Sequence, residues 1–357
     1  MITAAPTRLQ PHGWQQAWRE AIRDPRELLA SLGLEGMVPV SQAAAAAFAL
    51  RVPRAFVARM QPGDPHDPLL RQVLPLDEEL RPVPGFGLDA VGDARATAGQ
   101  GVIHKYAGRA LLVATGSCAV NCRYCFRRHF PYAEQSAAAG GWQAAVGTIA
   151  ADASLHEVIL SGGDPLSLAT PKLADLTSAL ARIPHVRRLR IHTRLPVVLP
   201  ERVDEALTAW LAALPWPVAI VVHANHAREF DAEVDAAMAR LRGTGALLLN
   251  QAVLLRGVND GLDAQADLHE RSFAAGVLPY YLHQLDRVAG AAHFEVPDAE
   301  ALALHGAMRA RLPGYLLPRL VREVAGDASK RPLWSAAMDA DAQPWHNAPQ
   351  GGENACR

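Results

Sequence analysis

The chain has 357 residues, half of them hydrophobic, with 35 Lys and Arg against 36 Asp and Glu for a net charge of −1. That length suits one large domain or two small ones with a sizeable core, and the near-balance of charge argues against a nucleic-acid or anionic-membrane partner. No apolar run approaches the ~20 residues of a spanning helix. The N-terminus, MITAAPTRLQPHGW, lacks the basic-then-apolar order of a signal peptide, so the chain is expected in the cytoplasm, where thiols stay reduced.

Residues 1–95 read as a helical and irregular extension. WQQAWREAI and DPRELLASLGL suggest short helices, and Ser41 is a candidate N-cap for the alanine-rich run after it. FVARMQPGDPHDPLLRQVLP is rich in Pro and Asp and is expected to be extended and loop-like. Over residues 96–334 the pattern changes to short apolar runs alternating with helical segments. Strand candidates are Ala110–Ala114, Glu157–Leu160, Leu189–Ile191, Val218–Val222, Ala246–Leu249 and Val277–Leu282. Helix candidates lie near 142–152, 171–182, 203–213, 228–242, 262–275 and 298–311. The alternation predicts an α/β fold with a parallel sheet, a barrel or partial (β/α)6 barrel. Residues from about 335 to 357, ending in NAPQGGENACR, are expected to be a disordered tail.

Three of the four cysteines fall within eight residues, Cys118, Cys122 and Cys125 in CAVNCRYC. The fourth, Cys356, has no motif around it. A structural zinc site usually wants four ligands in paired motifs, and the second pair is missing here. An iron–sulfur cube normally takes four cysteines, so three leave one iron open to a small molecule. C-x3-C-x2-C is the signature of radical S-adenosylmethionine enzymes, whereas clustering for packing alone is the plainer alternative.

The other polar groups follow strand candidates, where parallel barrels build their sites. SGGDPL, Ser161 to Leu166, offers a turn without side chains that lets backbone approach a ligand closely; alone it is an ordinary strand-to-helix turn. His223, His226 and Gln251 stand at strand ends, though a lone histidine is more often structural. Asp286, in LHQLD, reads either as a loop carboxylate or as an acceptor for a substrate ammonium. Arg127 and Arg128 follow the cysteine loop; they pair with surface acids or else grip a carboxylate. Lys330, in GDASKRPL, is an ordinary solvated charge or an amine that joins pyridoxal phosphate.

From Arg54 to Leu333 the chain resembles the lysine 2,3-aminomutases. The stretches that carry the likeness include GDPHDPLLRQVLP, CAVNCRYCFRRHF, LSGGDPL, RLPVVLPERV, NQAVLLRGVND, PYYLHQLD and the SKRPL around Lys330. Several of them most resemble the branch whose β-lysine is attached to elongation factor P. The resemblance implies a [4Fe-4S] cluster, S-adenosylmethionine and pyridoxal phosphate. It implies conversion of (S)-α-lysine to (R)-β-lysine through a 5′-deoxyadenosyl radical and a 1,2-amino migration. It places the cluster on Cys118, Cys122 and Cys125, and S-adenosylmethionine on Gly162, Gly163, Asp164, His223 and Gln251. Pyridoxal phosphate falls to Lys330, Tyr106, Arg109 and Lys105, the last standing where degradative relatives have arginine. Arg127 would grip the substrate carboxylate, and Asp286 with Glu323 the ε-ammonium. Implied partners are L-lysine and, functionally, the ligase that uses β-lysine; an oligomer is compatible.

Two departures from the family pattern are visible. Glu323 stands for an aspartate, and the glycine turn before Lys330 is reduced to GDAS. The chain also lacks the cysteine-rich C-terminal part of some relatives, so no zinc is expected. Competing readings are a degradative lysine 2,3-aminomutase, a radical enzyme without pyridoxal phosphate, and a non-catalytic scaffold that kept the barrel.

Overall fold

Seven parallel strands carry the chain from Arg109 to Arg322 in the computed structural model, which describes residues 13–135, 137 and 142–333. They are β3 (Arg109–Thr115), β4 (Glu157–Gly162), β5 (Arg188–Thr193), β6 (Val218–Val222), β7 (Leu247–Val253), β8 (Leu278–His283) and β9 (Arg319–Arg322). A hairpin of β1 (Thr97–Gly99) and β2 (Val102–Tyr106) joins β3 antiparallel. The short β10 (Arg331–Pro332) pairs antiparallel with β9. The strands follow one another in sequence order across one ten-stranded sheet, from β1 at one edge to β10 at the other. This is a partial barrel of six strand–helix repeats, closed by a further parallel strand and flanked by antiparallel pieces.

Local chemistry explains the repeats. Every residue of β4 is buried, as expected for a parallel strand covered on both faces. The crossover helices are Gln143–Ala151, Thr170–Leu180, Glu205–Ala212, Ala232–Gly243, Leu262–Ala274 and Asp298–Arg311. Two begin on aspartate caps: Leu207 N donates to Asp204 Oδ1 at 2.8 Å, and Val234 N to Asp231 Oδ1 at 2.9 Å, satisfying amides the helix leaves open.

Before the hairpin lie short helices at Gly13–Arg19, Pro25–Ser31 and Gln42–Ala47. Ser41 caps the last of these, accepting from Ala44 N at 3.1 Å. The Pro- and Asp-rich stretch is not wholly extended, contrary to expectation. It contains helical turns at Arg54–Val57 and Pro68–Arg71. Asp67 is the reason for the second: buried, it accepts from Leu69 N and Leu70 N at 2.8 and 2.9 Å, with Pro68 at the first helical position. Asp-Pro here starts a helix instead of breaking one.

The core does not stop at residue 95. Trp14, Phe56 and Leu70 belong to the same buried cluster as Leu112 and Val222 of the barrel. Among the described residues no helix is long and apolar enough to cross a membrane. The expected tail, 335–357 with Cys356, lies outside the described residues.

Candidate active site

The strands end around one cavity of about 680 Å³. Every residue to which the resemblance assigns a role lines it, from Cys118 at one end to Lys330 at the other. His226 does not. Its Nδ1 accepts from Arg228 N at 3.1 Å and caps the short turn Ala227–Glu229, so it is a local structural group.

At one end stand the three cysteines, all unpaired with one another. Burial first, then the Cys125 thiol, pushes Cys118 well above its ordinary range. Burial, then Cys122, pushes Cys125 up to about 11. Three thiolates this close repel, and only a strongly cationic centre lets them ionise together. Among the described residues no three His, Cys, Asp or Glu side chains gather around one point as for a single ion. A cluster, which takes one thiolate on each of several irons, fits this donor set.

The glycine turn packs directly against the start of that loop. Gly162 ends β4 with φ +119°, and a Cβ there would lie 2.5 Å from Thr115 O. A Cβ on Gly163 would meet Ser117 O at 2.5 Å and Gly116 C at 2.8 Å. The two glycines therefore admit the backbone that leads into Cys118. Gly163→Ala should shift that backbone at a cost of about 1–3 kcal/mol. The expected readout is a lower urea midpoint at unchanged m-value, with less iron retained per chain; an unmoved midpoint would contradict the packing argument.

Asp164 lines the cavity, but its carboxylate is engaged internally. It accepts from Thr193 Oγ1 at 2.7 Å, Arg194 N at 2.7 Å, and Leu166 N and Leu195 N at 3.0 Å each. Burial nevertheless pushes its carboxyl up to about 6. It clamps the loop after β4 to the loop after β5.

Mid-cavity, burial holds His223 neutral, with its pKa down to about 3. Its Nε2 therefore accepts from Gln251 Nε2 at 2.9 Å. Gln251 Oε1 and His192 Nε2 are buried without partners. Orphaned polar atoms of this kind fit a ligand rich in hydroxyl and amine groups. Gln251 sits within β7, and His192 within β5, rather than just beyond them.

At the other end a charge network surrounds Lys330. Its Nζ lies 2.5 Å from Glu323 Oε2 and 6.0 Å from the centre of the Tyr281 ring. Glu323 Oε1 accepts from Tyr106 Oη at 2.6 Å and from Lys105 Nζ at 3.4 Å. Burial works against its charge, but Lys330, Tyr106 and Lys105 together hold the carboxyl below its usual range. Arg109 stacks on the Tyr106 ring, 4.7 Å from its centre, and has no carboxylate partner among the described residues. A free guanidinium, a lysine amine and a phenol on one wall fit a phosphorylated aldehyde. Asp286 is half-buried nearby, and desolvation pushes its carboxyl up to about 7 although Lys330 pulls it down.

Asp93 went unnoticed in the sequence. It is buried, with Oδ2 accepting from Arg127 Nε at 2.7 Å and Oδ1 2.6 Å from Lys105 Nζ. Burial opposes its charge, yet Arg127 and Lys105 together hold its carboxyl below the usual range. It ties an arginine beside the cysteine loop to a lysine of β2. Nothing in GDARATAG marks it, since the pairing spans 34 residues. Arg194, in HTR (His192 to Arg194), which the sequence offers as donors at a strand end, donates to Cys122 Sγ at 2.7 Å. Arg128 pairs with Glu79 at 2.8 Å, and both side chains are buried, not on the surface.

No protein-family model matches the chain. Among curated proteins it is 48% identical over 322 residues to the L-lysine 2,3-aminomutase of Escherichia coli K12, covering 90% of this chain and 94% of that one. It is 44% identical over 331 residues to that of Haemophilus influenzae, covering 92% and 98%. It is 33% identical over 279 residues to that of Clostridium subterminale, covering 78% and 67%. Among solved structures, a radical SAM methyltransferase from Sphaerobacter thermophilus aligns with 62% of this chain and 68% of its own, at 20% identity and a TM-score of 0.44. Near-full-length identity of this size, on a chain whose cysteine triad, glycine turn and lysine face one cavity, means that the chain belongs to the lysine 2,3-aminomutase family.

Proposed function

We propose that this protein is a cytoplasmic radical S-adenosylmethionine isomerase. It moves the α-amino group of (S)-α-lysine to the β-carbon and yields (R)-β-lysine, which a ligase attaches to elongation factor P. The observation that supports it most is the shared cavity: thiols and the glycine turn at one end, Lys330 and two carboxylates at the other. The relatives' names supply the substrate.

Bound there, the cluster with S-adenosylmethionine supplies a carbon-centred radical, and pyridoxal phosphate supplies a π system across which nitrogen can migrate between neighbouring carbons. The chain's own residues hold and orient. Cys118, Cys122 and Cys125 ligate the cluster. Gly162 and Gly163 open backbone space for S-adenosylmethionine, Asp164 fixes that turn, and the Gln251–His223 pair presents neutral polar atoms to it. Lys330 carries pyridoxal phosphate, with Tyr106, Arg109 and Lys105 around it. Arg127, held in place by Asp93, faces the substrate carboxylate. Asp286 and Glu323 receive the ε-ammonium. The cavity walls keep water out, which would strengthen the charge contacts that hold the substrate.

The Asp286 role has a pH signature. A carboxyl with its pKa raised to about 7 is neutral below that pH and charged above it. An ammonium is held by the charged form. So kcat/KM for lysine should rise about tenfold per pH unit up to about 7, then level off. In Asp286→Asn the acid limb should vanish and KM should rise; an unchanged limb would remove Asp286 from the ammonium site.

The test of the whole reading is an anaerobic assay. Protein reconstituted with iron and sulfide would be given reductant, S-adenosylmethionine, pyridoxal phosphate and L-lysine, and the products resolved chirally. (R)-β-Lysine is expected. The (S) isomer would favour a degradative role, and unchanged lysine beside cleaved S-adenosylmethionine would overturn the substrate.

A further inference from the structure

Arg194 is buried just beyond β5 and reaches across to the cysteine loop. Its Nη1 donates to Cys122 Sγ and to Tyr124 Oη, each at 2.7 Å. Its Nη2 donates to Gln72 Oε1 at 2.8 Å and to Glu229 Oε2 at 2.9 Å. Arg51 Nη1 donates to the Cys118 backbone carbonyl at 3.1 Å, but neither the Cys118 nor the Cys125 sulfur receives a guanidinium donor among the described residues.

The guanidinium has little room to leave. Asn225 Nδ2 donates to Gln72 Oε1 at 2.9 Å and to Tyr124 Oη at 2.7 Å, and Asn225 N donates to Glu229 Oε1 at 2.9 Å. Gln72 Nε2 donates to the same Glu229 oxygen at 3.1 Å. The Phe56 ring lies 5.3 Å from the guanidinium carbon. Gln72 and Phe56 come from the N-terminal extension, so that segment forms one wall of the network. The result is a fixed buried dipole, with the positive end at the Cys122 sulfur and the negative end on Glu229.

We propose that Arg194 is a positioning and tuning residue for the cluster: it orients the Cys122 thiolate and, by donating to its sulfur, makes the cluster easier to reduce. This rests on the proposed cluster site. The physics is direct. Reduction adds one electron, supplied by an external one-electron donor, and so makes the cluster more negative. A donor and a positive charge at a ligating sulfur stabilise that state more than the oxidised one. Glu229 anchors the guanidinium and partly cancels its field.

The charge argument gives the two members of the pair opposite signs. In Arg194→Gln the ratio of reduced to oxidised cluster at a fixed potential should fall about tenfold, equal to about 59 mV for a one-electron couple. In Glu229→Gln the ratio should rise, because the cation stays and its counter-charge goes. Damage to packing would move both variants the same way.

The experiment is a redox titration of reconstituted protein, followed by the paramagnetism of the reduced cluster without S-adenosylmethionine, with iron and sulfide counted per chain. Opposite shifts at unchanged iron content are the expected result. Unmoved potentials, or shifts of one sign, would overturn the inference and leave the cluster reading standing. If Arg194→Gln loses iron, the Glu229→Gln shift decides alone: upward supports the role, and unmoved or downward removes it. Wild-type protein that holds no iron would overturn the cluster reading and this inference with it.

Discussion

Lys330→Ala should stop β-lysine formation, lowering turnover on the order of 10⁴-fold, the scale at which loss of a covalently acting residue is felt. Lys330 lines the cavity, as Lys105 does, with its amine partly buried. Its side chain is 25% exposed, and it is pinned by Glu323 on one side and the Tyr281 ring on the other. Alanine keeps the fold, since the lysine sits in a short segment before β10 and not in the core. What goes is the amine that would carry pyridoxal phosphate. Borohydride reduction of the wild-type holoenzyme should fix a pyridoxyl group on Lys330, and in the variant the label should be absent. Iron content and slow S-adenosylmethionine cleavage should persist. Normal turnover in the variant would remove Lys330 from the chemistry.

Cys122→Ala is expected to fail at the opposite end of the cavity. A three-thiol site has no spare ligand, and the nearest other cysteine in sequence, Cys356, lies far along the chain. The substitution also strands the Arg194 guanidinium, which then faces an empty space where it had a sulfur partner. Iron per chain should fall to background, and 5′-deoxyadenosine should become undetectable. Borohydride labelling at Lys330 should survive, because the two ends of the cavity are built by different elements: the loop after β3 and the segment before β10. The two variants thus lose complementary signals. If Cys122→Ala also lost the Lys330 label, a general collapse of the site would explain both results, and neither local role would stand.

The sequence by itself was enough for the repeat and its motifs. Val218–Val222 is β6, the fourth parallel strand, at the predicted bounds, and helices predicted at 262–275 and 298–311 occur at Leu262–Ala274 and Asp298–Arg311. These are local matters: apolar periodicity acts within a few residues. The cysteine spacing and the Gly162–Gly163 pair are local too, and all of them line the cavity. Short pieces were harder. β1, β2, β9 and β10 carry little pattern of their own, and their neighbours in the sheet decide them. Asp67-Pro68 looked like a loop until burial of Asp67 made it a cap.

The tertiary structure alone decided which charges meet. Asp93 pairs with Arg127 across 34 residues, and Gln72 bonds to Arg194 across 122. Glu323 meets Tyr106 across 217 residues. Such pairs come together only when the strands have curled around one cavity and the N-terminal extension has packed beside them. A polar side chain's role is set by what burial leaves it to bond with, and local sequence carries no record of partners that far away.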